Sequence, residues 1–367
     1  MSVRQIVLHV APDLDSLVSA WLLVRFGEAR YPGTSSAGLA FFPASAVDGV
    51  ALEKEGVLAV DVGGGRFDHH QEELREDGAG TKGDAESRMR SEAGGGTEPP
   101  ERLCASLLVA RDLGIESDRS LRKVLDLAQR RDVEGVGVKS SDPLDQVGHL
   151  VNLIDGWNGL FPARPEEVAR RTFECLDALH HNERTWNEAL DAVDAASPVR
   201  FSPSGILVDW FESDNKRLMK ASRYRRRDAC VVRSRSGNTG VNVNFASPRV
   251  QAADVVTAAE YLRLFESQAR GIAPDPGELR LVGGHLGWFL HSSRKLVMAG
   301  SDKEPTAARS VLPCRRVAEL VGTSLHPEHL FPRDVCPGSH CIGPSCFLFR
   351  HDLSACEEPR RLGVRSR

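Results

Sequence analysis

The sequence predicts an α/β fold, with an N-terminal, mostly parallel sheet flanked by helices and a second, smaller α/β or α+β domain at the C-terminal end. Two observations carry the first half of that prediction. The short apolar runs 5–10 (QIVLHV) and 57–62 (VLAVDV with its flanks) read as buried strands, and each delivers polar residues at its C-terminal end. Between and after them lie stretches with helical spacing of apolar residues, so strands alternate with helices as in a parallel sheet. The third observation is length: 367 residues, at about 100–200 per domain, give roughly two domains.

The first strand runs into Ala11-Pro12-Asp13, a turn, and then into a helix over 15–26. The second ends in Gly63-Gly64-Gly65. From about 72 to 100 the chain is Gly, Glu, Asp, Ser and Arg with almost no apolar residues, and is expected to be a mobile insertion. Helical spacing returns at 103–113, at 119–131 and, as one long amphipathic helix or two, at 166–193, within a helical end spanning 149–193. Punctuation at 198–203 then suggests a boundary, giving a catalytic domain over 1–197, a substrate-positioning domain over 204–325, and a loop tail over 326–367. In the second domain 206–211, 229–233 and 240–245 read as strands and 252–270 as a helix.

Composition narrows the function. Hydrophobic residues at 41% and charged residues at 27% fit a globular chain, and 47 Lys and Arg against 51 Asp and Glu leave a formal charge of −4. A surface built throughout for polyanions is excluded, so any nucleic-acid role must come from a patch. No window reaches the about 18 apolar residues of a membrane span, and no leader precedes the first acidic residues, so a cytoplasmic protein without membrane partners is expected.

The strand ends hold the chemistry. His9, Asp13 and Asp15 follow the first strand, and Asp61, Asp68, His69 and His70 follow the second, within HVAPDLDS and DVGGGRFDHHQ. Carboxylate oxygens mixed with imidazoles, and no thiolate, suit two hard divalent ions: Mn²⁺ best, with Mg²⁺ or Co²⁺ also accommodated. Two such ions serve hydrolysis of a phosphoester or phosphoanhydride. The bland alternative is that Asp13 or Asp15 only caps the helix that follows.

These two segments resemble the first, second and third motifs of the DHH phosphoesterase superfamily, whose members include RecJ-type exonucleases, oligoribonucleases, cyclic-di-AMP phosphodiesterases and family II inorganic pyrophosphatases. Ala11 stands where the family pattern His-x-Asn-Pro-Asp-x-Asp-Ser has Asn. The resemblance implies that His9 and Asp13 bind one ion, Asp15 and His69 the other, and that Asp61 bridges them. It implies that His70 faces the substrate phosphate and that Asp68 fixes the tautomer of a neighbouring histidine. A fourth acidic ligand is also implied. Asp132, expected in a loop after the helix 119–131, is the choice, with Asp126 and Asp155 as competitors. A more diffuse likeness, carried by the Gly-rich link 61–68, the helical region 149–193 and the run from Trp288 to Ser301, is to the melanocyte-proliferating-gene family of DHH-like proteins.

For the second half, the resemblance points to a C-terminal domain whose Gly-Gly-His loop holds substrate. Gly283-Gly284-His285 has those letters, though Leu286-Gly287-Trp288 departs from the family's continuation, and a glycine turn before a strand at 286–290 competes. Arg294, Lys295 and Arg309 flank it as phosphate contacts. Lys216, Arg217, Lys220, Arg223, Arg225, Arg226 and Arg227, with Tyr224 among them, read either as a groove lining for a single strand or as a solvated helical face. Cys336, Cys341, Cys346 and Cys356 have spacings that would close a structural Zn²⁺ site. The expected activity is two-metal hydrolysis of short single-stranded nucleic acid or nucleotides. Pyrophosphate hydrolysis and a non-catalytic, metal-binding regulatory protein are the alternatives, and a homodimer is compatible with each.

Overall fold

The structure is a computed structural model, and it describes residues 2–69, 103–135, 149–272, 278–326 and 329. The expected insertion at 72–100, His70 and the four tail cysteines lie outside the described residues. The chain divides into two compact units, Met1–Arg184 and Thr185–Arg367.

The first unit holds a three-stranded parallel sheet in the order β2-β1-β3, with β1 Gln5–His9, β2 Gly38–Phe42 and β3 Val57–Ala59. Its central strand is buried on both faces, as parallel sheets require. Ile6 and Leu8 point into one core with Leu58 and Val60, while Val7 points into the other with Val57, Ala59 and Val62. That alternation is the period of two that an extended chain imposes. The larger core is filled by α1 Leu14–Phe26, α3 Ala105–Asp112, α4 Arg122–Glu134, α5 Leu150–Leu160 and the start of α6 Pro165–Ala195. The short α2, Gly49–Glu53, covers the other face through Leu52. Trp21 of α1 is fully buried and donates its indole N–H to Asp177 at 2.9 Å, which ties α1 to α6.

Among the described residues the second unit carries the larger sheet, seven strands in the order β4-β5-β6-β7-β10-β9-β8. The strands are β4 Val199–Arg200, β5 Leu207–Glu212, β6 Ala229–Arg233, β7 Thr239–Val243, β8 Gly283–His285, β9 Trp288–Leu290 and β10 Val297–Ala299. Only β5 and β6 pair in parallel, joined by α7 Leu218–Tyr224, and the other pairs are antiparallel. Ala229 and Val231 face a core with α8 Val256–Ala269 and α9 Cys314–Ser324, and Cys230 and Val232 face α7 and the end of α6.

The division falls inside α6, ahead of the punctuation at 198–203. The reason is packing: Val168, Ala169 and Leu176 of this helix belong to the first unit's core, and Ala189, Leu190 and Val193 to the second's. Local breaker residues mark where a helix stops, and here the helix serves both cores before it stops.

Candidate metal centre

The site is assembled at the C-terminal ends of β1 and β3. His9 closes β1, and the chain then turns into α1, whose N-cap is Asp13. Asp13 accepts the Ser16 backbone N–H at 3.0 Å, and the Ser16 hydroxyl oxygen accepts the Asp13 N–H at 3.1 Å, a reciprocal cap. Capping does not take Asp13 out of the site, because an oxygen of the same carboxylate lies 3.8 Å from His9 Nε2. Asn158 of α5 donates to the Pro12 carbonyl at 3.0 Å and pins this loop from the far side.

Beyond β3 the chain makes a tight glycine loop. Asp61 has φ +56°, a left-handed conformation that costs a side-chain-bearing residue about 1–2 kcal/mol. Its backbone N–H donates to Phe67 O at 2.9 Å, so the loop 62–66 returns the chain beside Asp61 and delivers His69 to the same spot. Gly63, at φ +77°, permits the return, since a Cβ there would sit 2.5 Å from Val47 Cγ1. Asp68 accepts the Gly64 backbone N–H at 2.7 Å. This bond closes the glycine loop.

Distances group the ligands into two sets. His9, Asp13 and Asp61 form one and Asp15, Asp61 and His69 the other; in each, ligand atoms lie within 4.8 Å of one another. Asp61 belongs to both, with Oδ2 3.6 Å from His9 Nε2 and Oδ1 3.4 Å from His69 Nδ1. His69 Nε2 is 3.2 Å from Asp132 Oδ2. Of the three acids weighed for the fourth position, Asp132 is therefore the one beside His69. It stands in the last turn of α4, not in a loop after it, and Gly135 at φ +65° ends the helix. Asp126 is exposed and 3.8 Å from Arg122, and Asp155 lines the same cavity as Asp132.

Asp15 is held by the start of α3. The segment Cys104-Ala105-Ser106 opens α3, and its Ala105 and Ser106 amides donate to the two oxygens of Asp15 at 2.7 and 3.0 Å. The four leading amides of a helix lack intrahelical acceptors and carry partial positive charge, so a buried carboxylate is stabilised there. Even so, burial and then the charge of Asp61 push the Asp15 carboxyl up to about 7, against the pull of the Ser106 hydrogen bonds. Burial alone would lower His9, but its contacts with Asp13 and Asp61 raise it to about 9. Asp13 moves the other way: burial raises it, and His9 and Ser16 outweigh this and hold it below the usual carboxylate range.

Asp13, Asp15, Asp132 and Asp155 open on one cavity of about 360 Å³, together with Arg131, Val151 and Ile154. Arg131 was not singled out by sequence. Its guanidinium donates to Gly135 O at 3.2 Å and lies 4.0 Å from Asp155, making it a cation on the rim of an acidic cavity.

The residues named for substrate lie in the second unit and do not converge. Gly283–His285 is strand β8 of a hairpin whose turn, Leu286-Gly287, has φ of +50° and +84°. His285 pairs with Trp288 at one end of β9, and Arg309 lies near that end, against Gly237 and Gly300. Arg294 and Lys295 sit in the turn beyond Leu290, at the other end. Lys295 donates to Ala253 O and lies 4.1 Å over the Phe245 ring. The carbonyls of Leu279, Leu281, Gly283 and Trp288 instead surround the fully buried Arg263, which donates to all four and so anchors the hairpin.

No protein-family model, curated protein or solved structure matches the chain. Among the described residues no helix is long and apolar enough to cross a membrane.

Proposed function

We propose that the chain is a two-metal phosphoesterase of DHH type, acting on short nucleic acids or nucleotides. The observation that carries this reading is Asp61, shared by two three-residue ligand sets at the ends of adjacent parallel strands. The donor set fits hard divalent ions, since it consists of carboxylate oxygens and imidazole nitrogens, with Asp15 and Asp61 buried. His9 and Asp13 would hold one ion, Asp15 and His69 the other, and Asp61 both. Bound there, two ions supply Lewis acidity to a water nucleophile and to the phosphate oxygens.

The chain's own residues do the rest. The α3 amides fix Asp15 in one orientation, and the glycine loop fixes Asp61, so the carboxylates need not reorganise on loading. Asp132 orients the His69 imidazole through Nε2. Arg131 is positioned to contact a phosphate entering the acidic cavity, and the resemblance gives His70 a place on the same phosphate.

The test is metal content and turnover of the purified protein with Mn²⁺ on a 5-mer RNA, cyclic-di-AMP, phosphoadenosine phosphate, a model diester and pyrophosphate, beside Asp61→Ala and His69→Ala. We expect bound divalent ion and hydrolysis of at least one nucleotide substrate, both lost in the variants. Inert wild-type protein, or equally active variants, would overturn the proposal, and turnover of pyrophosphate alone would move it to phosphoanhydride chemistry.

A further inference from the structure

The dense basic stretch of the second unit is not absorbed by the metal centre. The stretch spans α7 and both its ends, and the structure places Lys220 and Tyr224 against Trp186 of α6. Tyr224 is 65% exposed, yet it is held rather than loose: its ring meets Trp186 edge to face with centroids 5.7 Å apart. Lys220 Nζ lies 5.5 Å over the Trp186 ring, and the Arg225 guanidinium 5.7 Å from the Tyr224 ring.

Two features separate this patch from an ordinary solvated face. The first is charge that stays uncompensated. The acids facing the patch from α6 are Asp194 and Asp191, and Arg225 takes them, with Asp194 at 2.6 Å. Lys220, Arg223 and Arg226 are exposed and have no acidic partner among the described residues. The second is backbone strain. Arg226 has φ +59° at the helix end, donating to Arg223 O at 3.0 Å, a position that glycine occupies at no steric cost. The Arg227 N–H donates to Ser222 O at 3.1 Å, so this left-handed residue closes the helix as a glycine cap would, and the chain carries a cation there at a steric cost.

We propose that Lys220, Arg223, Tyr224 and Arg226, braced by Trp186 and Arg225, bind single-stranded nucleic acid, bases stacking on the exposed Tyr224 ring and phosphates meeting the uncompensated cations. An exposed, pre-oriented ring among spaced cations matches a strand with splayed bases. An acidic peptide would satisfy the cations and leave the ring idle. The assignment of the strand as substrate rests on the phosphoesterase reading; the binding rests on these residues alone.

The experiment is fluorescence anisotropy of the full chain with a 5′-labelled ten-nucleotide oligouridylate, in chelator so that hydrolysis is silent. Wild type is expected to bind, with a logarithmic salt slope that shrinks by about 0.7 for each of Arg223→Ala and Arg226→Ala. Tyr224→Ala is expected to weaken binding about tenfold, and Tyr224→Phe to keep it. Arg226→Gly is expected to raise the melting temperature while weakening binding, a pairing that a purely structural arginine would not give. Absence of wild-type binding, variants that bind as wild type does, or equal affinity for an abasic strand or polyglutamate would each overturn the inference. His69→Ala should bind the strand as wild type does. A strand bound but never hydrolysed sinks the enzyme and spares this surface, and pyrophosphate turnover without strand binding does the reverse.

Discussion

Asp15 shares a buried corner with Asp61, and that pairing sets the pH behaviour of the metal-free protein. A carboxyl raised to about 7 in the folded chain favours folding at low pH, and this contribution fades as pH rises from about 4 through 7. His9, raised to about 9, contributes fully below about 6.5 and loses its contribution as pH climbs through 9. Both signs agree, so the apo protein should melt at lower temperature at pH 9 than at pH 6. Binding of Mn²⁺ must displace those protons. Titration calorimetry in two buffers of different ionisation enthalpy should therefore show proton release, and affinity should fall as pH drops from about 9, and more steeply below 7. Asp61→Asn is expected to abolish ion uptake and, by removing both the like charge beside Asp15 and a partner of His9, to flatten the fall in apo stability between pH 6 and pH 9. Equilibrium denaturation of the two metal-free proteins checks it. Arg131→Ala should raise KM with little change in kcat, as expected for a rim cation that binds phosphate without touching the ligand set.

At the level of elements, the glycine loop after β3 is the part with least tolerance. Gly63→Ala places a Cβ 2.5 Å from Val47 Cγ1 and 2.8 Å from Val47 O at a positive φ, and should cost at least about 2 kcal/mol while lowering metal occupancy. Urea unfolding together with elemental analysis separates the two effects. Much of this region was legible beforehand: β1, the helix after it, the glycine turn and the ligand letters all stand where periodicity and motif put them. What was not legible depends on tertiary contact. The amides of Ala105 and Ser106 carry no side-chain signature, so their hold on Asp15 is invisible in sequence. Strand β2 is an edge of only five residues with no alternation to mark it, and β10, three residues long, and the helix α9 were also not among the expected elements. Asp132 was chosen on its surroundings, and only the fold shows that a last-turn helical position brings it to His69.

On the scale of the whole molecule, every residue in the two ligand sets, with Asp132, precedes the division at Arg184, while the basic aromatic surface follows it. A fragment ending at residue 197, which retains all of α6, should keep the ion content of the full chain and lose the oligouridylate, as measured by elemental analysis and anisotropy. The near-neutral total charge of −4 conceals that separation, because an acidic cavity and a cationic patch cancel in the sum. The grip of α3 on Asp15 also bears on which ions the protein meets in a mixed medium. Both oxygens of that carboxylate already accept an amide, which holds it in one orientation, and each ligand set adds an imidazole nitrogen, whereas calcium takes about 6–8 oxygens in a flexible cage. Calcium should therefore be a poor occupant and a weak competitor, leaving the centre to smaller ions even where calcium is far more abundant.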